Sequence, residues 1–197
     1  MTPLILASAS AARREMMDAA GLVFEVDVPR VDEEAAKASL RAEGLKPRDQ
    51  AEALAELKAL SVSRARAGFV IGADQMLAVE GRVLDKPKDT NEAREHLLAL
   101  RGRTHELLTA AVVATDGAVI WRHIDTPRLR MRAFSDAFLD QYLAQAGEKV
   151  LRSVGAYQLE GLGAQLFERV EGDYFSILGL PLLPLLAFLR EHGVVPA

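Results

Sequence analysis

The chain has 197 residues, 50% of them hydrophobic and 26% charged, with a net charge of −4 and no cysteine; this is the make-up of a globular chain with one sizeable core, in one lobe or two, and not of a disordered one. An acidic chain without a basic arm or stripe is unsuited to a nucleic-acid polymer, so a phosphate partner would be a small ligand. Without cysteine there are no disulfides, thiolate metal sites or thiol nucleophiles, which suits a reducing compartment, and the four histidines are too dispersed for a zinc motif.

The stretch "LILA" at residues 4–7 predicts a short strand, "SAS" supplies helix caps, and "AARREMMDAAG" predicts a helix stopped by Gly21. Arg13 and Arg14 then fall in the first turn, where the aligned peptide dipoles already leave roughly half a positive charge. An anion held there by the helix N–H groups, Ser8, Ser10 and the guanidiniums would relieve this, making a phosphate cradle; the alternative is a solvent-facing arginine pair. The apolar run "PLILA" is short and precedes the arginines, so it does not read as a secretory signal, and a cytoplasmic location is expected.

"FEVDVP" alternates like a half-buried strand and leads into the acidic "VDEE" at residues 31–34. Residues 47–67 predict a helix with Leu54, Leu57 and Leu60 along one face and Lys58 off that stripe. "GFVIGADQ" predicts a buried strand over residues 69–71 with Asp74 at its end, and "VEGRV" a hairpin turning at Glu80 and Gly81. A capped helix is expected over residues 90–101, then two long strands joined at Asp116 and Gly117, then a helix capped by Ser135 and ended by Gly147. The apolar run at residues 175–189 is shorter than the roughly 18 residues of a membrane span and holds Gly179, Pro181 and Pro184; it reads as a buried C-terminal helix, with no membrane partner. No linker or internal repeat divides the chain, so residues 1–197 read as a single domain.

Several polar groups stand out against this background. Gly72 and Ala73 leave room for a ligand to approach the backbone just before Asp74, which would serve there as a base or a metal ligand, or else as a loop cap. Asp32 and Glu33 could join it around a hard cation, or be simply solvated. Lys86, held out of helix by the following proline, could reach a phosphate or be an ordinary turn lysine. His105 and Trp121 read as packing residues.

Taken together, "LASASAARR", "VDE", "LKA" at Lys58, "GADQ", "DKP" at Lys86, "GRTHELLT", "LEGLGAQLFERVEGDY" and "GLPL" resemble, over almost the whole chain, the Maf family of nucleoside triphosphate pyrophosphatases. The resemblance implies an elongated α/β fold of the Maf/ITPase-like kind, a mixed sheet with two lobes flanking a cleft. It implies cleavage of the α–β bond of a non-standard or modified nucleoside triphosphate, a magnesium or manganese requirement, and a possible homodimer. By the same likeness Asp74 is the base that activates water, with Lys58 and Glu33 beside it in the catalytic set and Glu33 and Asp74 on the metal. Ser8, Arg13, Arg14 and Lys86 match phosphate-binding positions, where a triphosphate of about four negative charges would offset the arginines.

Three positions separate the family's branches, and here they are Ala12, Gln75 and Glu160. Gln75 and Glu160 resemble the branch acting on 7-methyl-GTP, in which a carboxylate accepts hydrogen bonds from guanine's N1–H and exocyclic amine. Ala12 departs from the bulky aromatic of that branch and leaves a dTTP/UTP-type enzyme as an alternative. The family's link to division-septum inhibition supplies a rival of another class, a nucleotide-sensing regulator of cell division without turnover. A dinucleotide oxidoreductase is disfavoured because the first turn is "SASAARR" and not a glycine fingerprint.

Overall fold

The computed structural model describes residues 2–196. In chain order the elements are β1 (Leu4–Ala7), α1 (Ala11–Ala19), β2 (Glu25–Val26), α2 (Glu33–Ala42), α3 (Pro47–Ser63), β3 (Phe69–Val79), β4 (Arg82–Leu84), α4 (Thr90–Leu100), β5 (Thr104–Thr115), β6 (Ala118–Asp125), β7 (Arg128–Met131) and α5 (Asp136–Ala146). Short 3₁₀ turns follow, then β8 (Phe167–Glu171), α6 (Tyr174–Ile177) and α7 (Leu182–Glu191). The strands form a mixed sheet in the order β2-β1-β3-β5-β7-β8, with β4 beside β3 and β6 beside β5. β1 is parallel to β2 and β3, and the hairpin strands β3/β4 and β5/β6 are antiparallel.

The chain divides into two compact units: the first runs up to Gln75 and includes Thr109–Asp125 and everything from Asp173 on, and the second holds Met76–Leu108 and Thr126–Gly172. In the first unit, Leu4 and Leu6 of β1, Met16 and Met17 of α1, Ile71 and Ala73 of β3, and Leu185, Phe188 and Leu189 of α7 share one apolar core. On the other side of the strands Ile5, Ala7 and Val70 pack with Val62 of α3. In the second unit Leu97 and Leu100 of α4, Leu129 and Met131 of β7, and Leu139 of α5 are fully buried.

Local chemistry explains many of the element boundaries. Ser10, Asp89, Ser135 and Asp173 cap α1, α4, α5 and α6 by accepting a backbone N–H two or three residues into the helix. Both tight hairpins turn through two residues of positive φ, Glu80 (48°) with Gly81 (77°) and Asp116 (51°) with Gly117 (75°), as a type I′ turn requires.

Four expectations need correction. The "FEVDVP" strand shrinks to two paired residues, and Val23, Val26 and Val28 are all exposed. It is bonded to β1 on one side only, and Arg66 of the α3–β3 connection holds Glu25 and Asp27 by ion pairs at its surface. The apolar stripe of α3 is also rotated. The face that packs is Ala51, Leu54, Ala55, Lys58, Ala59 and Val62, while Leu57 is 40% exposed, because a three-residue spacing drifts around a 3.6-residue helix whereas small alanines let this face lie flat. Asp74 lies in the middle of an 11-residue strand and not at a strand end. Finally, the C-terminal apolar run is two helices broken at Gly179 (φ 109°), with Leu183 exposed; among the described residues no helix is long and apolar enough to cross a membrane.

Candidate active site

The site starts from a glycine. A Cβ on Gly72 would stand 2.1 Å from the carbonyl oxygen of Ala55 and 2.6 Å from the nitrogen of Ala59, so β3 and the backbone of α3 touch at this point. Strand side chains alternate, so Asp74, two residues on, faces α3 as Gly72 does. Lys58 lies one turn beyond Ala55 on the packed face of the helix and meets it: Lys58 Nζ donates to Asp74 Oδ1 at 2.6 Å, and both residues are buried.

A second carboxylate closes on the same ammonium. Glu33, the first residue of α2, places Oε2 3.0 Å from Lys58 Nζ, with its side chain 44% exposed. The result is an acid–lysine–acid cluster with one buried and one accessible carboxylate. Asp32, one residue earlier, is not in it; its Oδ1 accepts the Ala35 N–H at 3.0 Å as the cap of α2.

On the opposite face of β3 the two arginines part company. Arg13 is buried, donating from Nε to the Gly179 carbonyl (2.7 Å) and from Nη1 to the Ala73 carbonyl (2.8 Å) and Ser8 Oγ (3.2 Å). It thus joins β1, β3 and the break between α6 and α7. Burial lowers its pKa from the ordinary arginine value, and the negative charges of Asp74 and Glu33 oppose that shift. Arg14, about 100° further around α1, is exposed, as is much of the first helical turn. Part of the positive charge at this helix start is therefore met by carbonyl oxygens of the fold itself.

Gln75 follows Asp74 and faces the other way. Its Nε2 donates to Thr109 Oγ1 (2.8 Å) and lies 3.0 and 3.1 Å from the carbonyls of Ser176 and Ile177. Thr109 and Ser176 were not among the candidates read from the sequence. The signals were there: Thr109 closes the "GRTHELLT" motif, and Ser176 sits three residues after a capping aspartate.

The first unit thus brings together Ser8, Arg13, Glu33, Lys58, Asp74 and Gln75, with Ala12 half-buried and Arg14 exposed on α1. Lys86 and Glu160 belong to the second unit, where both are exposed. That unit has its own buried polar pair, His105 Nε2 with the Tyr157 hydroxyl at 2.7 Å. Burial pushes His105 down to about 4 and Tyr157 far upward, so both are neutral in the folded chain. His105 is a packing residue, as its place on a strand suggests.

The fold is thus a mixed α/β sheet on which a buried carboxylate–lysine pair meets the start of a capped helix. The sequence pattern described as "Maf-like protein" matches residues 3–192, and the chain belongs to that family. It is 55% identical to a nucleoside triphosphate pyrophosphatase of Caulobacter vibrioides, over 99% of this chain and 98% of that one. It is 57% identical to one of Paramagnetospirillum magneticum, over 96% and 98%. To a 7-methyl-GTP pyrophosphatase of Rhizobium meliloti it is 53% identical over 98% of each.

Proposed function

We propose that this chain hydrolyses the α–β phosphoanhydride bond of a nucleoside triphosphate, preferring a 7-methyl-GTP-like base, to give the nucleoside monophosphate and pyrophosphate. The observation that carries the reading is the buried Asp74 held at 2.6 Å by Lys58, on a chain more than half identical over its length to relatives bearing that name. Asp74 takes a proton from water as the water oxygen bonds to the α-phosphorus and the bridging P–O bond breaks. Lys58 holds Oδ1, which leaves Oδ2 as the oxygen open to the water or to a cation. Arg13, Arg14 and Ser8 bind phosphate oxygens and the start of α1 contributes N–H groups. For Lys86 as a phosphate contact and Glu160 as a base contact, the proposal rests on the motif resemblance alone.

The donor chemistry fits a hard divalent cation, magnesium or manganese, on Glu33 and Asp74, two carboxylates that already converge on Lys58. Among the described residues no group of three or more histidine, cysteine or acidic side chains gathers as a metal site, so such an ion would take further oxygens from the substrate. When bound it would neutralise charge developing on the leaving pyrophosphate. A cytoplasmic homodimer is part of the proposal, supported by the lack of cysteine and the family resemblance.

The test is pyrophosphate release from 7-methyl-GTP, GTP, dTTP, UTP and CTP with magnesium or manganese, and with EDTA as control. The expected result is metal-dependent release favouring 7-methyl-GTP. A pyrimidine preference would show that Ala12 outweighs Gln75 and Glu160 in choosing the base. Tight nucleotide binding with no release from any member of the panel would replace the enzyme by a sensor.

A further inference from the structure

Gln75 is held by its nitrogen, and the contacts that hold it come from outside the catalytic cluster. Its Nε2 faces three oxygens, Thr109 Oγ1 and the carbonyls of Ser176 and Ile177. Two of these are carbonyls and can only accept, so the carboxamide cannot turn over without setting its own oxygen against them. The Thr109 hydroxyl accepts from Gln75 and donates onward to the Ser176 carbonyl at 2.8 Å. Thr109 is fully buried, so neither bond is exchanged with water.

The Ser176 carbonyl is itself anchored. Ser176 is fully buried in α6; its N–H reaches Asp173 Oδ1 at 2.8 Å, and its hydroxyl lies 2.5 Å from Asp125 Oδ2, the last residue of β6. The chain from Asp125 through Ser176 to Thr109 and Gln75 lies wholly within one compact unit.

We infer that Thr109, Ser176 and Asp125 are positioning residues that set base specificity by locking the Gln75 carboxamide with Nε2 inward and Oε1 as its only group free to meet a base. The inference rests on the reading of Gln75 as a base contact. Locked this way, the side chain offers an acceptor and no donor, so it selects a base edge carrying N–H groups. Guanine presents N1–H and an exocyclic amine, and methylation at N7 makes the purine cationic and those protons better donors. Uracil carries a single N–H between two carbonyls and cytosine a single amine beside two acceptors, so each offers this oxygen fewer donors and more opposing lone pairs than guanine does, a mismatch that polar sites reject.

The experiment measures kcat/KM across 7-methyl-GTP, GTP, UTP and CTP for the wild type, Thr109→Val, Thr109→Ser and Asp125→Asn, with melting temperatures of each. Discrimination is the ratio of the best nucleotide to the next. Thr109→Val keeps the side-chain shape but removes both hydroxyl bonds, and the ratio is expected to fall about tenfold, through KM, equivalent to about 1.4 kcal/mol. Thr109→Ser restores the ratio, and Asp125→Asn lowers it less than Thr109→Val. An unchanged ratio in folded Thr109→Val overturns the inference, as does an equal loss for every nucleotide, the mark of a merely structural residue. A wild type that discriminates among no bases overturns it as well. A wild type that favours UTP removes the 7-methyl-GTP preference proposed above, yet still tests the network through the UTP ratio.

Discussion

Each of the two compact units buries a polar pair against its strands, and the two pairs are chemically opposite. Lys58 and Asp74 are both ionisable partners at 2.6 Å, and the ammonium also holds the accessible Glu33. His105 and Tyr157 are bonded at 2.7 Å, both neutral, and enclosed with Phe167 against their rings. Burying a charge costs far more than burying a neutral hydrogen-bonded group. The first arrangement therefore carries a cost that the second does not, as the proposed site requires, while packing and one hydrogen bond account for the second. Burial of a polar side chain is thus a poor sign of function by itself; burial of charge with an open carboxylate on one flank is a better one.

The sharpest way to break this contrast is to neutralise Asp74. Asp74→Asn keeps the shape and a hydrogen-bond acceptor for Lys58, and Glu33 stays as the partner of the ammonium. Loss of a general base typically costs 10²–10⁴-fold in rate, so pyrophosphate release is expected to fall by about that factor while nucleotide affinity changes little. Equal loss of binding and turnover would make Asp74 a structural anchor instead. Next in size is the difference between adjacent arginines. Arg13→Ala strands the Gly179 and Ala73 carbonyls and leaves Asp74 and Glu33 less compensated, which should cost about 3 kcal/mol or more in denaturant unfolding. Arg14→Ala should stay within about 0.5 kcal/mol, as exposed substitutions do, and act on phosphate affinity only.

The sequence and the structure agree where local chemistry decides. Caps such as Ser10 and Ser135, the stop at Gly21 and the Glu80–Gly81 and Asp116–Gly117 turns are properties of a few neighbouring residues, and they stand where the pattern puts them. Asp74 and Lys58 were legible as candidates because a charged residue inside an apolar run breaks expectation. Their meeting was not, since it depends on Gly72 bringing a helix backbone onto β3. The split between Arg13 and Arg14 was equally hidden, because residues adjacent in sequence are about 100° apart on a helix and only the core decides which turns inward.

The second unit's pair gives a pH prediction of intermediate size. His105 has a folded value of about 4 against 6.5 when free. Between these limits the unfolded chain binds a proton that the folded chain refuses, so stability is full above pH 6.5 and falls as pH drops toward 4. The loss attributable to this group is roughly 3 kcal/mol by linkage. His105→Phe leaves the Tyr157 hydroxyl without its partner at every pH but removes the titration, so unfolding free energies of the variant should lack this part of the acid slope. An acid slope identical to the wild type's would mean that His105 takes up its proton as readily in the fold as in the unfolded chain, and the neutral–charged contrast between the units would not hold.

The smallest effect, that of Leu57→Ala set beside Leu54→Ala, tests which face of α3 carries Lys58 inward. A stripe of Leu54, Leu57 and Leu60 would make the first two leucines equal in weight and leave Lys58 at the edge of the buried face. In the structure Leu54 is fully buried and Leu57 is 40% exposed. Truncating a buried leucine costs about 2–5 kcal/mol, because the transfer term is joined by a cavity, whereas an exposed one changes stability by about 0.5 kcal/mol or less. Leu57→Ala should therefore be nearly silent in denaturant unfolding and Leu54→Ala severe. Comparable losses at both positions would rotate α3 away from the alanine face, and with it the geometry that delivers Lys58 to Asp74. A silent Leu57→Ala ties the position of Lys58 to the alanines that let the helix lie against Gly72.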